Sequence, residues 1–287
     1  MSVVLAARDS AQTISAQLEA LAGQTYAGPW ELVVVDDGSS DETLTIARAW
    51  ERRLPALRAI ARARNHDVLH GCGRARNDGV RHSRGELLLF CDADDIADRE
   101  WIERMVDGLR RYPAVGGRIE RRLLNDDAAL AARPERRVGL LDGGFGFLQY
   151  PMGANCAMRR EVWDRLGGFD ESYSCAEDVE LFWRIQLHGF ELGFSADAVV
   201  HYSMPDGPRA LARQAYSYGL GHPRLYRDFA RHGMPASTRN AAREWAWLAT
   251  HSHHLARGRE ARARWLWRFG MRLGRLRGSA QNRVVHL

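Results

Sequence analysis

The residues best suited to chemistry are pairs of acids. Asp92-Ala93-Asp94 closes the most apolar run of the chain, Glu86 to Cys91. Two carboxylates two residues apart, at the end of a buried strand, can reach one divalent cation and the ligand beside it. Mg²⁺ or Mn²⁺ is commonly held by one or two carboxylates plus substrate phosphates. Such a cation acts as a Lewis acid on a departing diphosphate. The same aspartates would also serve as turn formers and as caps for a helix starting near Arg99. Asp36-Asp37-Gly38-Ser39 repeats the pattern after an earlier apolar run. There a carboxylate can accept from a base N–H or a ribose hydroxyl, or simply shape a strand-to-helix turn. Glu177-Asp178 opens a helical stretch, a place acids favour because of the helix dipole. Asp178 in that place is equally suited to act as a general base towards a hydroxyl.

These pairs need strand ends to hold them, and the chain supplies such ends. Val3 to Ala7 and Glu31 to Val35 read as strands, and Leu32-Val33-Val34-Val35 is the continuous apolar run of a strand covered on both faces. Helices are expected on the Ile14, Leu18, Leu21 spacing, over about 40–53 behind a Ser39/Glu42 capping box, and over about 73–82. Further strands are expected at 57–61, 86–91, 115–121, 155–158, 191–194 and 198–202, with helices up to Leu166 and over 177–187. The region from Asn125 to Leu148, with Gly143, Gly144 and Gly146, reads as loop. Alternation of this kind predicts an α/β fold, a mostly parallel sheet with helices on both faces. In such sheets ligands bind at the carboxyl ends of the strands, where Asp36/Asp37 and Asp92/Asp94 fall.

The whole chain of 287 residues is long enough for one large domain plus an appendage, and its composition is that of a globular protein. No run approaches the roughly 18 apolar residues of a membrane span. No signal-peptide pattern is visible, so a cytoplasmic protein is expected. The four cysteines are scattered without a C-x-x-C pair, which argues against a zinc knuckle and a disulfide scaffold. There is no phosphate loop of the G-x-x-x-x-G-K-[ST] kind. Arg76 fills the third glycine's place after Gly71 and Gly73, which removes a dinucleotide fold. Asp92, Asp94 and Ile96 do not complete a calcium loop, and H-E-x-x-H and G-x-S-x-G are both missing.

Taken jointly, the motifs resemble the family 2 glycosyltransferases of the GT-A fold. The resemblance covers residues 2 to 205. It rests on Gln24-Thr25-Tyr26, Val34-Val35-Asp36-Asp37-Gly38-Ser39-Ser40-Asp41, Ala75-Arg76-Asn77-Asp78-Gly79 and Arg84-Gly85-Glu86 before Asp92-Ala93-Asp94-Asp95. Gly167-Gly168-Phe169-Asp170-Glu171 before Glu177-Asp178, then Arg184 and Gly189, complete it. The resemblance implies a GT-A (Rossmann-like) catalytic domain over 1–207 and a metal-dependent, inverting transfer from a nucleotide sugar to a hydroxyl. It implies that Asp37 contacts the base, Asp92 the ribose, and Asp94 a Mg²⁺ or Mn²⁺ ion with the donor diphosphate. His201 falls where relatives place another metal or diphosphate ligand, or else it packs at a strand end. Asp178 would be the catalytic base, with Glu177 supporting it or meeting the acceptor. Ala6, Arg8 and Arg76 join Asp37 and Asp92 as nucleotide contacts. The first strand departs from the family pattern: Ala6-Ala7-Arg8-Asp9 stands where a proline, a variable residue, an aromatic and Asn are usual. Arg8 therefore replaces the aromatic near the base. UDP is the expected carrier, with dTDP and GDP open; a glycan or lipid-linked acceptor, a nucleotidyltransferase and a non-catalytic scaffold are the readings to separate.

Charge is uneven along the chain. All 41 basic residues are arginine, and 16 of them face only three acids in residues 209–287, a net of +13. Residues 1–208 carry 25 arginines against 33 acids, a net of −8. The segment 208–287 is expected to be a basic helical extension. Within it Trp265, Leu266, Phe269, Leu273 and Leu276 share one helical face, and Arg264, Arg268, Arg272 and Arg275 another. Such a helix suits the surface of an anionic membrane, or it packs on the protein or on a second copy. No nucleic-acid module accompanies the charge, so nucleic acid is not an expected partner. His251, His253 and His254 read as a solvated cluster rather than a metal site.

Overall fold

The computed structural model describes residues 1–54, 56–63, 72–133, 139–140, 145–236 and 241–287. Gly71, Gly143 and Gly144 lie outside the described residues. The chain forms two compact units: one of residues 1–120, 138–141 and 149–202, the other of 121–137, 142–148 and 203–287.

The first unit is built on eight strands: β1 (Ser2–Ala7), β2 (Glu31–Asp36), β3 (Leu57–Ala61), β4 (Leu87–Asp92), β5 (Ile96–Ala97), β6 (Ala114–Glu120), β7 (Asn155–Arg159) and β8 (Leu192–His201). They lie in the order β3-β2-β1-β4-β7-β6-β8-β5. The first four strands pair parallel, as does β6 with β8, while β7 runs antiparallel to β4 and β6, and β5 to β8. The sheet is thus mixed, with its parallel half carrying the aspartate-bearing strand ends. Val3, Val4, Leu5, Leu32, Val33, Val34, Val35, Leu88, Leu89 and Phe90 have no exposed surface, as expected of strands covered on both faces. The helices are α1 (Ile14–Ala22), α2 (Thr43–Trp50), α3 (Cys72–Arg81), α4 (Trp101–Arg111), α6 (Arg160–Leu166) and α7 (Glu177–Leu187), with α5 (Asp127–Ala132) belonging to the second unit.

Three local expectations change. The Ser39/Glu42 capping box does not form: α2 starts at Thr43, and Glu42 makes no side-chain cap. Ser39 Oγ instead accepts from the Asp9 amide at 2.9 Å, and Asp9 Oδ1 accepts from the Ser40 amide at 2.7 Å. The loop after β1 thus recruits the Ser39 hydroxyl that would have capped the helix. The expected loop over 125–148 contains α5, whose N-cap Asp126 accepts from the Ala129 amide at 2.8 Å. Its short Ala-rich run lacks the length for a periodic signal. The two expected strands at 191–194 and 198–202 are one strand, β8, with a register irregularity opposite Gly117/Arg118.

In the second unit α8 (Gly207–Phe229), α9 (Ala241–Thr250) and α10 (Arg259–Asn282) form the helical extension. α8 and α10 meet through glycines. A Cβ on Gly219 would lie 2.2 Å from the Met271 carbonyl oxygen, and one on Gly274 would lie 2.1 Å from that of Tyr216. Only backbones without side chains approach so closely. The face of α10 that is buried is therefore Ala263, Gly270, Gly274 and Gly278, while Leu273 and Leu276 are exposed. Arg275, expected on the outer polar face, is buried and donates to His222 Nδ1 at 3.1 Å. No helix among the described residues is long and apolar enough to cross a membrane.

Candidate active site

Sheet register gathers the acids. Ala7 is level with Asp36 across β1 and β2, and Ala6 is level with Asp92 across β1 and β4. Three parallel strands therefore end together, and the turns after them carry Arg8, Asp37 and Asp94. Gly38 takes φ +71°, which lets the chain turn sharply beneath Asp37. Asp37 pairs with Arg62 beyond the end of β3, and Arg62 also pairs with Asp78 of α3. Arg8 lies beside Asp9, 3.8 Å from its carboxylate.

Ligand oxygens of Asp92, Asp94 and Asp95 lie within 4.8 Å of one another. Three hard carboxylate oxygens on one short turn suit Mg²⁺ or Mn²⁺. Crowding by protein and the neighbouring Asp92 carboxylate raise the Asp94 pKa above the ordinary range, even though Asp94 stays open to water. A nearby cation would favour its ionised form. The turn is held from behind by Gln17, a buried residue of α1. Its Nε2 donates to the Asp92 carbonyl at 3.2 Å, and its Oε1 accepts from the Ala97 amide at 2.9 Å. Sequence reasoning missed Gln17, although a glutamine between Ile14, Leu18 and Leu21 on a core-facing stripe was a visible signal. His201 is not in the acidic group. It is level with Ile96 across β8 and β5, and its Nδ1 lies 2.9 Å from Glu120 Oε2.

Arg76 links the Asp92 turn to α7. Its side chain is 3% exposed, with Nη2 2.7 Å from Asp92 Oδ1 and Nη1 2.9 Å from Glu177 Oε1. A Cβ on Gly153 would sit 2.8 Å from that guanidinium. Above it, the Gly153 amide donates to Asp178 Oδ2 at 2.8 Å, and the Val179 amide donates to Asp178 Oδ1 at 2.8 Å. Burial raises the Asp178 pKa, against the pull of the Gly153 amide and Arg76. Burial, then Asp178, pushes Glu177 up to about 7, with Arg76 opposing. Ala176, just before the pair, takes φ +65°, a left-handed conformation that costs a non-glycine residue of order 1 kcal/mol.

The other motif residues converge on the glycine-rich turn that follows α6. Asn77 accepts from the Phe169 amide and donates to its carbonyl, at 3.0 and 2.9 Å. Arg184 donates to the Leu166 and Gly168 carbonyls at 2.6 and 2.7 Å. The glycine-rich turn is thus braced from α3 and α7 together, which fixes where Glu177 and Asp178 stand.

The model of Glycosyl transferase family 2 matches residues 2–167, more than half of the chain. The chain belongs to glycosyl transferase family 2. A second model, Glycosyl transferase family group 2, matches residues 137–272 of this glycosyltransferase. Glycosyltransferase AglE of Haloferax volcanii is 26% identical over 230 residues, 79% of this chain and 74% of that protein. The chain spans smaller shares of the next three curated relatives, between 19% and 55% of their length. Among solved structures, the mannosyltransferase PcManGT from Pyrobaculum calidifontis, in complex with GDP-Man and Mn²⁺, matches with a TM-score of 0.69. The identity there is 20%, over 96% of this chain and 86% of that one. S. aureus TarS 1–349 in complex with UDP-GlcNAc matches with a TM-score of 0.56 at 18% identity, over 99% and 92%. The glycosyltransferase has the GT-A-like fold of these neighbours.

Proposed function

We propose that this glycosyltransferase is metal-dependent and inverting, and moves a sugar from a nucleotide carrier, UDP first, to a hydroxyl of a glycan or lipid-linked acceptor. The observation that carries the reading is the Asp92, Asp94 and Asp95 group at the common end of β1, β2 and β4, tied through Arg76 to Glu177 beside Asp178. In this reading Asp37 meets the base, Asp92 the ribose, and Ala6 and Arg8 line the nucleotide. Asp94 would hold a Mg²⁺ or Mn²⁺ ion, which when bound offsets charge on the leaving diphosphate. His201, its Nδ1 engaged by Glu120, keeps Nε2 for a metal or a diphosphate oxygen. Arg76 is too buried to be a direct nucleotide contact; it positions Asp92 and Glu177. Asp178, held by two amides, removes the proton from the acceptor hydroxyl as its oxygen attacks the anomeric carbon and the nucleoside diphosphate departs. A single base and one displacement give inversion.

The test is a thermal-shift and turnover panel of UDP, GDP and dTDP with their sugars, with and without Mn²⁺, on wild type and Asp94→Asn. One nucleotide is expected to raise the melting temperature of the wild type only with metal, and the variant should lose that rise together with donor turnover. A nucleotide that binds equally well without metal, and to both proteins, would overturn the metal-dependent reading.

A further inference from the structure

The helical unit contains a cavity of about 510 Å³ at the start of α8, lined by residues 206–210 and by Arg213, Arg262 and Leu266. Arg209 and Arg213 are one turn apart on α8, and Arg262 comes from α10. All three are exposed, and none forms an ion pair among the described residues. The Arg262 side chain meets a neutral group: its Nε donates to the Leu255 carbonyl at 3.0 Å. Asp206 is the one acid in the wall, so the lining carries two uncompensated positive charges. Asp206 also stands at the N-cap of α8 without capping it, which adds the first-turn amides of a 23-residue helix to the positive field.

Guanidinium groups from two helices around one hollow match the tetrahedral oxygens of a phosphate better than a single carboxylate. The volume exceeds that of a phosphate, and Leu266 gives the remainder an apolar side. Leu273 and Leu276, both exposed, follow Leu266 along α10 at helical spacing. We infer that this cavity is a second, phosphate-binding site that takes the phosphate of a ligand with an apolar or uncharged remainder. A lipid headgroup and a soluble phosphate ester both offer that chemistry. The site stands independently of the donor reading, because no residue of the acidic cluster takes part in it.

The full chain tests it in three forms: wild type, a cavity variant (Arg209→Gln, Arg213→Gln, Arg262→Gln), and a charge-matched control (Arg243→Gln, Arg257→Gln, Arg283→Gln). Each is titrated with inorganic phosphate by calorimetry and sedimented with phosphatidylcholine vesicles with or without phosphatidylglycerol. The cavity variant is expected to lose at least about tenfold in affinity, the scale of one or two charge-assisted hydrogen bonds, while the control loses about twofold or less. Loss confined to the phosphate arm assigns a soluble ligand, and loss of vesicle binding assigns a headgroup. Equal loss in both variants, or no binding by the wild type in either arm, overturns the site. Should the triple variant melt earlier than the control, Arg213→Gln alone, on an exposed helix face, replaces it under the same criteria.

Discussion

Arg76 holds two carboxylates on one guanidinium with almost no water around it. Removing it leaves Asp92 and Glu177 without their counter-charge. Arg76→Gln should therefore destabilise the protein by about 3–5 kcal/mol in urea denaturation, the usual cost of breaking a buried pair from one side. The double variant Arg76→Gln/Glu177→Gln should recover part of that loss; no recovery would show that Arg76 acts through packing on Phe169 instead. Asp178 leads to a pH prediction. Its pKa is raised by burial, so it keeps its proton to higher pH than an exposed aspartate. A general base works deprotonated, so kcat/KM should fall as pH drops, with half-loss above the ordinary aspartate value of roughly 4. Asp178→Asn should cost about 100- to 10,000-fold in kcat, with donor binding kept. An unchanged pH limb in Asp178→Asn would assign the base elsewhere.

At the scale of elements, the acidic turn after β4 and the α8/α10 contact rest on single residues that no local preference would select. Gln17 bonds both sides of the 92–97 turn from α1. Gln17→Met keeps the volume and removes both bonds, leaving a buried carbonyl and amide to find other partners. It should lower stability by about 1–3 kcal/mol and weaken metal-dependent nucleotide binding, both read from one melting series with and without nucleotide. Equal melting of the two proteins would make Gln17 a spectator. On α10, Gly274 faces the Tyr216 carbonyl at a distance no Cβ accepts. Gly274→Leu should force the two helices apart, with a loss of at least about 1–3 kcal/mol and faster amide exchange over α8 and α10 but not over β1–β4. Unchanged exchange in α8 would mean the helices meet by another route.

For the molecule as a whole, the strand–helix alternation, the apolar runs and the acids at their ends were legible in the sequence, because each is a local pattern. A run such as Leu32–Val35 has no hydrophilic face to leave in water, so it must be a covered strand, and its end must carry the turn. The charge divide was equally plain, and so were the motifs that placed Asp37, Asp92, Asp94 and Asp178 in one family pattern. What the sequence could not decide depended on partners far along the chain. Arg76 lies 16 residues from Asp92 and 101 from Glu177, and only the fold turned a candidate nucleotide contact into a buried brace. Ser39 and Glu42 matched a cap, but the loop after β1 competed for Ser39 and won. Leu266, Leu273 and Leu276 of α10 shared the face expected to meet a membrane, the protein or a second copy. Tertiary packing chose the glycines, because two backbones in contact exclude water more closely than side chains spaced between them can. Local sequence determined which elements form and where their acids fall; the register of strands and the approach of helices decided which of those groups meet.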